Sequence, residues 1–179
     1  MSRHAFIDES TRGRNYLICA ATISPADLDA ARRALTTMRA PGQRRIHFAT
    51  ESDQRRRSLL KEMSTLETTS VVYVANHRDQ VAARAAIVAT AVVKLRQAGV
   101  SRLVLEARQG QDEQDRAVIY RALGPDPEPP LSYTHHRSAS EPLLWVPDAV
   151  AWAWGRGGSW RTRVEDLDLV SAVEMVNVS

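Results

Sequence analysis

The stretch that decides the fold is His4–Ile23, HAFIDESTRGRNYLICAATI. HAFID (His4–Asp8) alternates and ends in acid, which predicts a short strand. STRGRN (Ser10–Asn15) is a polar, glycine-containing turn. YLICAATI (Tyr16–Ile23) is nearly all apolar, as suits a strand buried on both faces. Strand, short turn and strand predict a hairpin. Asp8 and Glu9 then fall directly after the first strand, where backbone on both sides would hold a carboxylate rigidly. The competing reading is a turn acid that bonds its own backbone.

Outward from the hairpin, helices and strands alternate. Ser24-Pro25 starts a helix, with Ser24 as cap and Pro25 at the first position, and Pro41-Gly42 stops it. Arg45–Phe48 is a short extended piece. Thr50 is expected to cap the next helix, whose apolar face is Leu59, Leu60, Met63 and Leu66. Val71–Ala75 is a β-branched strand, and Gln80–Ala98 is an Ala-rich helix closed by Gly99. Arg102–Glu106 (RLVLE) is a buried strand that ends in acid. Gln114–Leu123 is a short helix, Pro125–Pro130 a stiff connector, Leu131–His135 the candidate last strand, and Glu141–Trp154 an apolar helix. The tail from Ser159 reads as a further strand or a partner contact. This order predicts an α/β fold with a mixed sheet flanked by helices. A doubly wound nucleotide-binding sheet lacks support, because no Gly-rich loop follows the first strand and no P-loop lysine exists.

The 179 residues suit one domain, 1–179, with a core over about 4–155 and a tail over 156–179. Hydrophobic residues make up 44% and charged residues 25%, which argues against disorder as the main state. The apolar runs are too short to span a bilayer, and no basic segment followed by an apolar one marks a secretory leader, so a cytoplasmic protein with no membrane contact is expected. Cys19 is the only cysteine, which excludes an internal disulfide and a Cys-based zinc cluster. The net charge is +3 and the basic side is almost all arginine, with Lys61 and Lys94 the only lysines. Arginine pairs bidentately with phosphate, so a nucleic-acid partner is compatible; coding bias explains the same composition.

The chemistry rests on acids. Glu106 ends the apolar run Leu103–Leu105. Asp148 stands alone among apolar residues in LLWVPDAVAWAW (Leu143–Trp154). A buried lone carboxylate is costly and calls for a cation or donors. Alternatively Pro147 marks a helix start near Val146, with Asp148 favoured in the first turn by the helix dipole. Asp8, Glu106 and Asp148 together offer the hard oxygen ligands that Mg²⁺ or Mn²⁺ prefers. His47 is a further candidate ligand or proton carrier, against a structural role. Arg55, Arg56 and Arg57 form a basic cluster able to grip a nucleic-acid backbone, or a solvated helix face. His135 and His136, followed by Arg137, could touch a phosphate or end a strand in solvent. Asp112 and Asp115 read as helix-capping acids. Trp145, Trp152, Trp154 and Trp160 could stack on bases, although the first three fit a core helix better.

At these residues the chain resembles the domain-of-unknown-function-3800 family, a group of ribonuclease H-like proteins. The likeness is carried by AFIDES at Ala5–Ser10 with the apolar strand after it, RIHF at Arg45–Phe48, LVLE ending at Glu106, and LLWVPDAVAW with Asp148. It extends over about residues 4 to 155. It implies a ribonuclease H-like mixed sheet of about five strands. It also implies Asp8 as central metal ligand with Glu9 beside it, an acid at Glu106, and Asp148 completing the site. His47 falls where the family often has Glu or His. Thr11 replaces the glycine that usually follows Asp-Glu-Ser, and Glu106 replaces an expected Asp.

The expectation is a metal-dependent nuclease or phosphodiesterase acting on RNA or DNA. Asp8, Glu106 and Asp148 would hold the metal, Glu9 or His47 would assist, and Arg55, Arg56, Arg57 and Arg137 would meet the nucleic acid. The alternative is a non-catalytic nucleic-acid- or protein-binding module on the same scaffold; a nucleotide or small-molecule phosphatase is a third reading. A homodimer is left open.

Overall fold

A computed structural model describes residues 1–179. Its first elements are a hairpin of β1 (Arg3–Arg12) and β2 (Asn15–Ile23). They pair antiparallel from His4↔Ile23 to Arg12↔Asn15, so the turn is only Gly13-Arg14, with Gly13 at φ +59°. The expected first strand was therefore too short. Asp8 and Glu9 lie inside β1 and not after it, because the polar residues Ser10–Arg12 still pair with Asn15–Leu17.

A short 3₁₀ turn capped by Ser24 leads into α1 (Leu28–Thr37). Then come α2 (Asp53–Met63), β3 (Thr68–Asn76), α3 (Gln80–Gln97), β4 (Val100–Glu106), α4 (Asp112–Leu123), β5 (Ser132–His136), α5 (Trp145–Arg156), α6 (Gly158–Asp166) and β6 (Val170–Met175). Two local expectations change. Ser52, not Thr50, caps α2 by accepting from the Arg55 N–H. Arg45–Ile46 joins no strand, and Phe48–Thr50 is a single 3₁₀ turn.

The sheet has six strands in the order β5-β4-β1-β2-β3-β6. β1, β2 and β3 form an antiparallel meander; β4 runs parallel to β1, and β5 parallel to β4. These five are the expected mixed sheet. The sixth, β6, comes from the tail and pairs parallel with β3 at the outer edge. A parallel partner needs a crossover, and the helices supply them. Two cores result, one on each face of the sheet. Phe6, Leu17, Cys19 and Val104 face the core shared with Leu35, Leu59, Leu60 and Trp145 from α1, α2 and α5. Ala5, Ile7, Ile18 and Leu105 face the core shared with Ile87, Val92 and Ile119 from α3 and α4. Every residue of β2 after Asn15 is buried, as its unbroken apolar run requires. Helix α3 buries Ala83, Arg84, Ile87, Val88, Ala91, Val92 and Leu95, the spacing of one helical face. No helix is long and apolar enough to cross a membrane.

Candidate functional site

The pleat sends alternate side chains to opposite faces. Asp8 therefore shares the face of Phe6, and Glu106 shares the face of Val104. Ile7 pairs with Leu105 in the parallel β1–β4 ladder, which makes Asp8 and Glu106 neighbours across it. Asp148 reaches the same place from α5, which packs on that face. The helix begins at Trp145, so Asp148 sits in its first turn, the position Pro147 pointed to. Its Oδ2 accepts from the Phe48 N–H at 2.9 Å and lies 3.6 Å from His47 Nδ1. Asp8, Glu106, Asp148 and His47 all line one cavity of about 320 Å³.

Two cations that sequence reasoning missed share this cavity. Arg108, two residues beyond β4, brings Nη2 to 3.3 Å from Asp8 Oδ1 and 3.1 Å from Glu106 Oε2. Its Nη1 contacts Glu9. Arg45 Nη1 is 3.5 Å from Glu106 Oε1 and also donates to Ser138 Oγ. The only signal for Arg108 was its nearness to the acid strand end; Arg45 lay inside the RIHF segment without a role.

The electrostatics are unbalanced. Asp8 has a side chain only 4% exposed, and burial, the Asp148 charge and Glu106 beside it push its carboxyl well above the usual range. Burial also opposes ionisation of Glu106, but Asp8 and Arg108 outweigh it, and Glu106 stays ionised to lower pH than usual. The Asp148 carboxylate, 3.6 Å away, raises His47 above an ordinary histidine. Burial lowers Arg108, but the charges of Asp8 and Glu106 reverse the sign.

Glu9 is elsewhere. As Asp8's neighbour in a strand it faces the opposite core. There it pairs with Arg84 of α3 and accepts from the Tyr16 hydroxyl. Arg84 also grips Asp115 of α4 bidentately, at 2.9 and 2.8 Å, and His135 Nε2 is 3.1 Å from Asp115 Oδ2. Asp115 is thus no helix cap; it is 2% exposed, and burial is outweighed by His135 and Arg84, which hold its carboxyl below the usual range. Nor does His135 end a strand in solvent, since its side chain is 3% exposed. Arg108 is the one cation that forms ion pairs with both Asp8 and Glu9.

The basic cluster of α2 divides. Arg55 donates to the Met38 carbonyl, and Arg56 to the Phe48 and Ala49 carbonyls and to Asp53, so both hold loops. Arg57 is exposed, as is Arg137 beyond β5. Trp145 is buried and donates to the Ser138 carbonyl, whereas Trp152, Trp154 and Trp160 are half-buried.

The donor types fit a divalent cation: hard carboxylate oxygens crowded until one of them resists ionising. With Arg108 between the acids, however, no three His, Cys, Asp or Glu side chains stand in ligating geometry.

No family model and no curated protein matches the sequence. Among solved structures, the chain is similar to RNase HII in the PCNA:RNase HII complex from Archaeoglobus fulgidus, with a TM-score of 0.58 and 12% identity, covering 94% of this chain and 77% of that one. The likeness is one of fold: a mixed α/β sheet flanked by helices, of the ribonuclease H-like kind.

Proposed function

We propose that this protein is a divalent-metal-dependent phosphodiesterase acting on nucleic acid, and that it belongs with the domain-of-unknown-function-3800 family. The observation that carries the reading is the meeting of Asp8, Glu106 and Asp148, from three separate elements, in one cavity on one sheet face. The likeness to RNase HII supports the scaffold. Asp8, Glu106 and Asp148 would hold Mg²⁺ or Mn²⁺. When bound, such an ion activates water and offsets the charge that builds on a phosphate. Asp148 orients His47, which carries a proton beside the cavity at higher pH than a free histidine. Arg45 and Arg108 place guanidinium groups where non-bridging phosphate oxygens would need partners. Glu9, which faces the other core, does not act on substrate in this reading and positions Arg108 instead.

The expected result is that Asp8→Asn abolishes metal-dependent cleavage of oligonucleotides while circular dichroism and thermal unfolding show a folded protein. Unchanged cleavage by highly purified Asp8→Asn protein would end the proposal. The second reading, a non-catalytic nucleic-acid-binding module, is favoured by Arg108, which already occupies the space between the acids. Calorimetry with Mn²⁺ separates the two. The first requires saturable binding that disappears in Asp8→Asn and Asp148→Asn; the second requires none.

A further inference from the structure

Trp152 stands at the cavity wall. Its ring carries two guanidinium groups, Arg56 at 4.1 Å and Arg12 at 5.3 Å from the centroid. It meets Trp160 edge-on at 5.5 Å, and Arg57 lies 5.9 Å from the Trp160 centroid. Arg55 and Arg56 take the nearby acids Glu51 and Asp53. Arg12 and Arg57 are left with no acidic partner; Arg12 Nε is buried without a hydrogen-bond partner, which leaves only its terminal nitrogens for an anion. A guanidinium laid against an indole is held by cation–π attraction while its in-plane N–H groups remain open to an anion.

A second arginine group lies beyond Ser138, which lines the cavity. Arg39, Arg44 and Arg137 border a shallow depression of about 420 Å³ with Ala139 and Ser140. Arg39 is engaged by the Gln43 and Arg44 carbonyls, whereas Arg44 and Arg137 are exposed. The cavity itself is rich in carboxylates and repels a polyanion. Any polyanion that reaches it must be held by cations at its borders.

We propose that Arg12 and Arg57 on the tryptophan side, with Arg44 and Arg137 on the Ser138 side, form a docking surface for the sugar-phosphate backbone of a nucleic acid that crosses the acid cavity. The inference rests on the nucleic-acid reading above but not on catalysis. Backbone contacts of this kind confer affinity without sequence preference.

The test is fluorescence anisotropy with labelled single-stranded DNA, duplex DNA and RNA, in EDTA, over a range of salt concentrations. Arg12→Gln/Arg57→Gln and Arg44→Gln/Arg137→Gln are each expected to weaken binding about tenfold or more near 0.1 M salt. Each should also lower the slope of log K against log salt by about 1.8 on duplex or about 1.4 on single strands. Arg116→Gln/Arg121→Gln removes the same charge from α4, on the opposite sheet face, and should leave the slope unchanged. The proposal is overturned if that control loses as much as the border variants, if the border variants bind like the parent, or if the parent binds no oligonucleotide. Binding with the predicted slopes but no cleavage under Mn²⁺ would sink the phosphodiesterase reading and leave the surface standing.

Discussion

Asp8 and Glu9 are consecutive in β1, yet the sheet puts them in opposite electrostatic situations. On the Glu9 side two acids, Glu9 and Asp115, are met by Arg84, His135 and the Tyr16 hydroxyl, all out of solvent. On the Asp8 side Asp8, Glu106 and Asp148 face an open cavity, with Arg108 and Arg45 as partial counter-charges. The first arrangement holds helices to a sheet. The second sets three carboxyls against two guanidinium groups, and the imbalance falls on Asp8, whose carboxyl resists ionising.

Breaking the balanced side should have the largest effect. Arg84→Met leaves Glu9 and Asp115 buried without their shared cation, and unfolding in urea is expected to show a loss of about 3–5 kcal/mol. A loss near zero would mean that the cluster is not buried in solution. On the unbalanced side the sign reverses. Asp8→Asn removes a carboxyl that burial and two acids oppose, and should stabilise the protein by about 0.5–2 kcal/mol even as it removes a ligand of the proposed metal site. A destabilised Asp8→Asn protein would contradict the comparison directly.

Titration sharpens the same contrast. The folded pKa of Asp115 lies below its unfolded value, so its contribution is complete above pH of about 4 and is lost as the pH falls through the folded pKa. Asp8 lies above its unfolded value, so its contribution is complete in acid and is lost as the pH rises from about 4 through the raised pKa. Thermal unfolding against pH should therefore show a shallower acid limb in Asp115→Asn and a shallower upper limb in Asp8→Asn, with Glu106 and His47 sustaining what remains. The smallest effect is expected for Arg108→Gln. Its side chain is 40% exposed, so stability should change by less than about 1 kcal/mol, while calorimetry should show tighter Mn²⁺ binding once the competing cation is gone.

The alternation of apolar runs made the hairpin and the succession of strands and helices legible, and the lone Asp148 inside LLWVPDAVAWAW pointed to a polar site against α5. The same logic held an unused signal. Arg84 is the only charged residue in Val81–Val93, and a lone cation in such a run requires a buried acid. Asp115 hid in the charged stretch QDEQDR because its partners, Arg84 and His135, come from other elements. The continuation of β1 past Asp8 was illegible for a related reason. Ser10–Arg12 are polar and carry no strand pattern, and only their pairing with β2 extends them. Arg108 was missed because a loop arginine gains its role only when β1 and β4 lie side by side.

That β1–β4 pairing has a kinetic consequence. The hairpin of β1 and β2 closes across two residues and can form within microseconds. Arg108 and Asp8 are 100 positions apart, as are Asp148 and Phe48, so the carboxylates converge only after long loops have closed. Hairpin closure is therefore expected to precede the meeting of the acids, which waits on the same long-range packing that assembles the two cores.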